Sequence, residues 1–207
     1  MTIPIAKLRR LPLCMIVSFI SWYLPFRFAP ALLTLDLVAP ENGLFQVYFD
    51  MGAGFSERQS HKVEVQGSGL DRTVSFQVPA RGIRALRIDP GQQPGTVHLR
   101  AIGLRYAFGS YRWPSAEVSG SFRPLNQIGQ FSESEGGFSV VSTGTDPMFT
   151  YIGDPEPVFE LVRIEGYAGL VLASLLTALV LCLIWPLKWW TGEEAGHAEP
   201  SSTRDAE

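Results

Sequence analysis

Cysteine, histidine and charge are all scarce in this chain of 207 residues, and each scarcity excludes a class of protein. The two cysteines, Cys14 and Cys182, both lie in apolar stretches near the ends. Neither belongs to a C-x-x-C pattern, so both read as small apolar residues, and a disulfide scaffold is excluded. His61 and His98 stand alone in the middle of the chain, without the H-x-x-x-H or H-E-x-x-H spacing that sets two imidazoles on one zinc ion. Charged residues make up 18% of the sequence, against the ~25% usual in soluble domains, and the deficit is local to the two ends. Net charge is −3 and no long basic run occurs, so there is no electrostatic footprint for nucleic acid. Phosphate-loop, dinucleotide, G-x-S-x-G and calcium-loop patterns are missing as well.

What the sequence does have is apolar length. Gly166 to Leu187 contains no charged residue, and ~20 apolar residues in a helix cross a ~30 Å hydrocarbon layer. Tyr167 at one end and Trp185, Trp189 and Trp190 at the other match an interfacial aromatic belt. We read 166–187 as a transmembrane helix. Near the N-terminus, Lys7, Arg9 and Arg10 precede an uncharged stretch from Leu11 to Phe26, which holds Pro12 and Pro25 and ends at Arg27. Two readings fit residues 11–35. One is an uncleaved anchor in which Arg27 snorkels to the interface. The other is a secretory signal with Ala29-Pro-Ala31 as the cleavage pattern.

Both readings leave the basic residues 1–10 in the cytoplasm and put residues 36–164 on the extracytoplasmic side. Lys188 returns the chain to the cytoplasm, where residues 188–207, acidic and without apolar periodicity, read as a disordered tail.

The central region reads as strands. Phe45, Val47 and Phe49 alternate with Gln46, Tyr48 and Asp50. Further short runs follow at Val63–Val65, Val74–Val78, Ile83–Ile88, Val97–Tyr106, Val118–Phe122, Phe138–Val141, Met148–Ile152 and Val158–Ile164. The change of apolar phase after Ala101 predicts a bulge near Gly103. Strands of this length, broken by Gly, Pro and Asp, must bury one face against a second sheet. The expected fold is mainly β, an antiparallel β-sandwich of jelly-roll type flanked by N-terminal and C-terminal transmembrane helices.

One segment concentrates recognition chemistry: Tyr106-Ala-Phe-Gly-Ser-Tyr111-Arg112-Trp113-Pro114. Aromatic faces stack on sugar rings, and Arg and Asp bind hydroxyls in pairs. Tyr111, Arg112 and Trp113, with Asp89, are therefore the candidate ligand residues. The competing reading plugs Trp113 into the sandwich or dips it into the membrane interface. Arg81, Arg84 and Arg87 read either as contacts to lipid phosphate or an anionic glycan, or as a solvated strand face. Asp50, Glu57, Asp89 and Glu117 are the carboxylates available for glycoside hydrolysis, but nothing fixes the ~5–9 Å separation that chemistry needs. The expectation is a protein that is not an enzyme and needs no metal or cofactor.

Gln46-Val-Tyr-Phe-Asp-Met-Gly-Ala-Gly-Phe-Ser-Glu57, then Ile83-Arg-Ala-Leu-Arg-Ile-Asp-Pro90 with its Pro-Gly turn and Thr96–Leu104, and finally Thr145-Asp-Pro147, carry a resemblance. Together they resemble the lectin-like extracytoplasmic β-sandwich of bacterial membrane proteins associated with envelope polysaccharide and glycosyltransferase systems. The resemblance spans roughly residues 44–155. It implies a bacterial inner-membrane location and a role as a sugar-binding or partner-binding accessory module, because no glycosyltransferase domain is present. A plain structural role for the same motifs is that Gly52 and Gly54 permit a turn and that Asp89-Pro90 caps a strand end.

The leading expectation is thus a membrane-anchored module that binds a glycan or lipid-linked sugar beside the membrane lipid. The alternative is a scaffold for a multi-spanning membrane partner, in which Gly169, Ala173 and Thr177 offer the small-residue face that helices pack through in lipid.

Overall fold

Alternation over Ala31-Leu-Leu-Thr-Leu-Asp-Leu-Val38 builds the first strand, β1. In the computed structural model, which describes residues 11–134 and 136–189, Leu33, Leu35 and Leu37 are fully buried. Thr34 and Asp36, between them, take the opposite face, as a strand's two-residue period requires. β1 is a central strand, so the boundary expected at 35/36 cuts through it. The apolar run from Ala31 onward is a strand of the sheet core.

Ten more strands follow: β2 (Gly43–Asp50), β3 (Ser60–Val65), β4 (Asp71–Val78), β5 (Ala85–Pro90), β6 (Gly95–Tyr106), β7 (Gly109–Trp113), β8 (Phe122–Asn126), β9 (Ile128–Ser134), β10 (Gly137–Ser142) and β11 (Met148–Tyr151). They form two sheets, one ordered β4-β1-β6-β10-β9 with β7 also on β6, the other β3-β2-β5-β11-β8. Every pairing among them is antiparallel. The sheets meet through aromatic side chains: Phe131 of β9 lies 5.3 Å from Phe149 of β11, and Trp113 of β7 lies 5.9 Å from Tyr151. The expected mainly-β class and its two antiparallel sheets are therefore present.

Three expectations need correction. The phase change on β6 is real, but the register against β1 slips at Asp36/Leu37, which face Ala101 and Leu99. The extra residue is Arg100, and Gly103 pairs regularly with Thr34. Val118 belongs to a short helix, α2 (Ser115–Ser121), and β8 begins only at Phe122. Val158–Ile164 is helical too, inside α3 (Glu156–Trp189). Phe159, Val162, Gly166 and Leu170 are buried positions of its first turns, a helical repeat that the adjacent Val and Ile disguised. Asp154 begins it: its carboxylate accepts from the Glu156 amide at 2.9 Å, with Pro155 and Glu156 in the places a helix start favours.

The chain divides into two compact units, Pro25–Leu170 and the two end segments up to Leu24 and from Val171. In the first, α3 lies against the β6–β7 turn. A Cβ on Gly109 would strike the Val162 carbonyl oxygen, so only glycine allows this approach. Glu165 accepts from the Ser110 amide at 3.3 Å and Glu156 from the Gly82 amide at 3.0 Å. In the second unit, the helix α1 (Leu11–Phe28) meets α3: Ser18 Oγ donates to the Ser174 carbonyl at 2.8 Å, and Trp22 Nε1 to Thr177 Oγ1 at 3.1 Å. Within α3, Glu156–Leu181 is long and apolar enough to cross a membrane. The apolar part of α1, Cys14–Phe28, is shorter. The basic residues Lys7, Arg9 and Arg10 and the acidic tail after Trp189 lie outside the described residues.

Candidate functional site

On β2 the apolar residues Phe45 and Val47 point into the core, so the alternate residues Gln46 and Tyr48 take the opposite face. On the neighbouring β5, Leu86 and Ile88 are fully buried and Arg87 and Asp89 take the outer face. Register then decides which of these meet: Gln46 stands opposite Asp89, and Tyr48 opposite Arg87. On the other flank, β3 sets Lys62 opposite Gln46 and Ser60 opposite Tyr48.

Two loops close over this face. Asp50 ends β2, and one of its carboxylate oxygens accepts from both the Gly52 and Gly54 amides at 2.7 Å. Gly52 and Gly54 have φ of 109° and 86°, a backbone region that side chains disfavour. The resulting turn carries the chain back so that Glu57 lies over its own strand. Tyr48 Oη donates to Glu57 Oε1 at 2.5 Å, Gln46 Nε2 donates to Glu57 Oε2 at 3.1 Å, and Lys62 Nζ stands 2.8 Å from the same oxygen. From the far side comes Asp146, whose amide donates to Gln127 Oε1 at 2.6 Å. Its carboxylate reaches to 3.6 Å from Arg87 Nη2.

The floor is a bidentate pair: Arg87 Nε and Nη2 donate to the two Asp89 oxygens at 2.7 and 2.6 Å. The Arg87 guanidinium also lies 4.6 Å over the Tyr48 ring. Burial pushes the Asp89 carboxyl up, against the pull of Arg87. Burial, then the Glu57 carboxylate, pushes the Tyr48 hydroxyl up, so it stays a donor. Hydrogen bonds from Lys62, Tyr48 and Gln46 hold Glu57 down at about 2. The floor side chains Arg87 and Asp89 are 18% and 11% exposed, while the rim groups Glu57, Lys62 and Asp146 are 65%, 46% and 57% exposed. A fixed floor with reachable carboxylates and one ammonium can accept from and donate to a hydroxyl-rich ligand without reorganising. Met51 and Phe55, both exposed on the glycine turn, supply apolar contact beside it.

The four expected ligand residues do not share a site. Trp113 is core, 2% exposed and edge-to-face with Tyr111, Phe122 and Tyr151. Tyr111 points the same way, its hydroxyl 3.2 Å from Glu117. Arg112, between them, faces out of the other sheet and pairs with Asp36 at 3.3 Å. Asp89 alone belongs to the polar face, and its carboxylate holds Arg87 where a backbone cap was expected. Gly169 packs against Phe108. Ala173 gives its carbonyl to the Thr177 hydroxyl at 2.8 Å, and Thr177 is met by α1. Gly169 and Thr177 of the face expected to pack against a partner helix thus have neighbours within this chain.

Of the four carboxylates weighed for hydrolysis, Asp50 serves the glycine turn, Glu117 meets Tyr111, and only Glu57 and Asp89 reach the polar face. Among the described residues no group of three His, Cys, Asp or Glu is placed to hold a metal ion. Gln46, Tyr48, Lys62, Arg87 and Asp146 were missed as a group. The period-two pattern of β2 and β5 does place Gln46 with Tyr48 and Arg87 with Asp89, but no local signal pairs the strands. Comparison with family models, curated proteins and solved structures finds no match.

Proposed function

We propose that this protein is a membrane-anchored, non-catalytic binding module that takes a carbohydrate or glycolipid on the polar face of β2 and β5. The observation that supports it is convergence. The three separate stretches that resemble envelope-associated lectin-like domains supply Gln46, Tyr48 and Glu57, then Arg87 and Asp89, then Asp146, to one cluster.

The sandwich is of jelly-roll type and stands on the extracytoplasmic side of a bacterial inner membrane, held by both α1 and α3. Retention of α1 is supported by Phe26, which is 4% exposed beside Tyr106 and Tyr167 and accepts from the Tyr106 hydroxyl at 2.7 Å. Anchoring beside lipid-linked sugar raises effective concentration, so weak single-site affinity suffices for a role in envelope glycan assembly.

The test is glycan-array binding followed by calorimetry on the full chain in nanodiscs. Glu57→Gln, Asp146→Asn and Phe55→Ala should each weaken binding about tenfold, the loss of one good hydrogen bond or stacking contact, with melting temperature nearly unchanged. A folded chain that binds no glycan, or binds as well with all three changes, overturns the proposal and leaves a scaffold in its place.

A further inference from the structure

A second site lies at the end of the sandwich where α3 leaves it. Arg27, Phe28, Pro30, Phe49, Arg81 and Tyr106 are among the residues lining a cleft of about 550 Å³, within the ~300–1,000 Å³ range typical of small-ligand sites. Its floor is apolar, from Phe49, Val78 and Tyr106, and its rim carries two guanidinium groups. Among the described residues no carboxylate lines it. Glu156, which accepts from the Gly82 amide next to Arg81, is itself paired with Arg163 at 3.4 Å. The cleft therefore sets two guanidinium groups beside an apolar floor.

Its depth is fixed by Arg81, whose Nη2 donates to the Tyr167 hydroxyl at 2.7 Å. Tyr167 opens the uncharged stretch of α3, so Arg81 lies where water gives way to lipid. Phe28 is 78% exposed at the mouth of the cleft, and Phe108, 51% exposed, packs at the level of Gly169, one residue pair deeper along α3. Exposed aromatic rings flanking a basic cleft suit neither bulk water nor the hydrocarbon interior. They suit the headgroup layer, where phosphodiesters lie and arginine binds them in a fork.

We propose that this cleft binds the phosphate of an anionic phospholipid, with Arg27 and Arg81 on the phosphate and Phe28 along the acyl chain. The inference rests on α3 crossing a membrane and is independent of what the β2–β5 face binds. Such a bound lipid fixes the sandwich at a set height over the bilayer.

Native mass spectrometry of the full chain, released from nanodiscs of phosphatidylglycerol mixed with phosphatidylcholine, tests it. The wild type should retain phosphatidylglycerol in preference. Arg27→Gln and Arg81→Gln should each reduce that retention about fivefold, the effect expected for one basic residue at an anionic surface. Arg123→Gln, a distant exposed control, should leave it unchanged. Equal retention of the two lipids, or a preference that survives the double Gln variant, overturns the proposal. Displacement by excess inorganic phosphate without any lipid preference assigns the cleft to a soluble anion and overturns it too. A photoactivatable phosphatidylglycerol gives a reading that needs no variant to fold: labelling should fall on Phe28 and Pro79–Gly82, and labelling confined elsewhere refutes the site.

Discussion

Tyr106–Pro114 and Gln46–Glu57 are the two stretches where aromatic, glycine and charged residues crowd together, and they do opposite work. The first is the β6–β7 turn with β7. Its Trp113 enters the core with half-buried Tyr111 edge-to-face against it, its Gly109 admits α3, and Arg112 is left outside. The second is β2 with its turn. Phe45 and Val47 take the core, and Gln46, Tyr48 and Glu57 build a polar face that two other motifs complete. Composition alone favours the first stretch as a binding platform. What separates them is which alternate residue faces inward, and that is set by the partner strand. Ile102, fully buried, pairs with Trp113 and draws it in; Tyr48, 8% exposed on the opposite face of its sheet, is instead matched with Arg87.

The comparison breaks most visibly at Trp113. Trp113→Ala should destabilise the chain by about 3–5 kcal/mol, the cost of emptying a large aromatic site in a core. Thermal or denaturant unfolding measures it, and a loss below about 1 kcal/mol would return the ring to the surface. Gly109→Val comes next. The added side chain meets the Val162 carbonyl and the Gly166 amide, so a loss of about 1–3 kcal/mol is expected from overpacking. Limited proteolysis within the first turns of α3 should rise with it if the helix has lifted off.

On the polar face, Arg87→Met should cost about 1–3 kcal/mol, because Asp89 keeps its burial and loses its partner. The sign with pH is distinctive. An acid whose folded pKa lies above its unfolded one favours the fold while protonated, so stability in this variant should fall as pH rises past the ordinary carboxylate range. Melting temperature against pH reads it, and adding Asp89→Asn should flatten the curve. Glu57 sharpens the contrast with a smaller effect of opposite sign. Its folded pKa is depressed from 4.5 to about 2, so its contribution is present above 4.5 and lost as pH falls toward 2. Glu57→Gln should remove that acid-side slope and leave the melting temperature at neutral pH within a degree or two of wild type.

Much of the fold was legible because strands declare themselves through a period of two. β2, β4 and β6 read directly from alternating apolar residues, and β5 and β10 from short apolar runs. β1 did not, because its leucines follow an apolar helix without a charged break after Arg27, so strand and anchor merged into one hydrophobic stretch. The first turns of α3 were hidden by Val158, Phe159, Leu161, Val162 and Ile164, whose bulk suggests a strand. Asp154-Pro-Glu156 was the local signal that a helix begins there. The bulge was visible as a change of phase and was misplaced by three residues, since a phase change does not say which residue is extra.

By itself the sequence determined what depends on neighbours along the chain: two antiparallel sheets' worth of short strands, an apolar helix long enough to cross a membrane, and the glycine turn after Asp50. Only the tertiary structure decided which outward residues meet. Asp89 stands opposite Gln46, Arg87 over Tyr48, and Asp146 beside Arg87 through pairings of segments distant in sequence. Register between strands is fixed by burial of the whole core, a collective quantity, and no residue carries it alone.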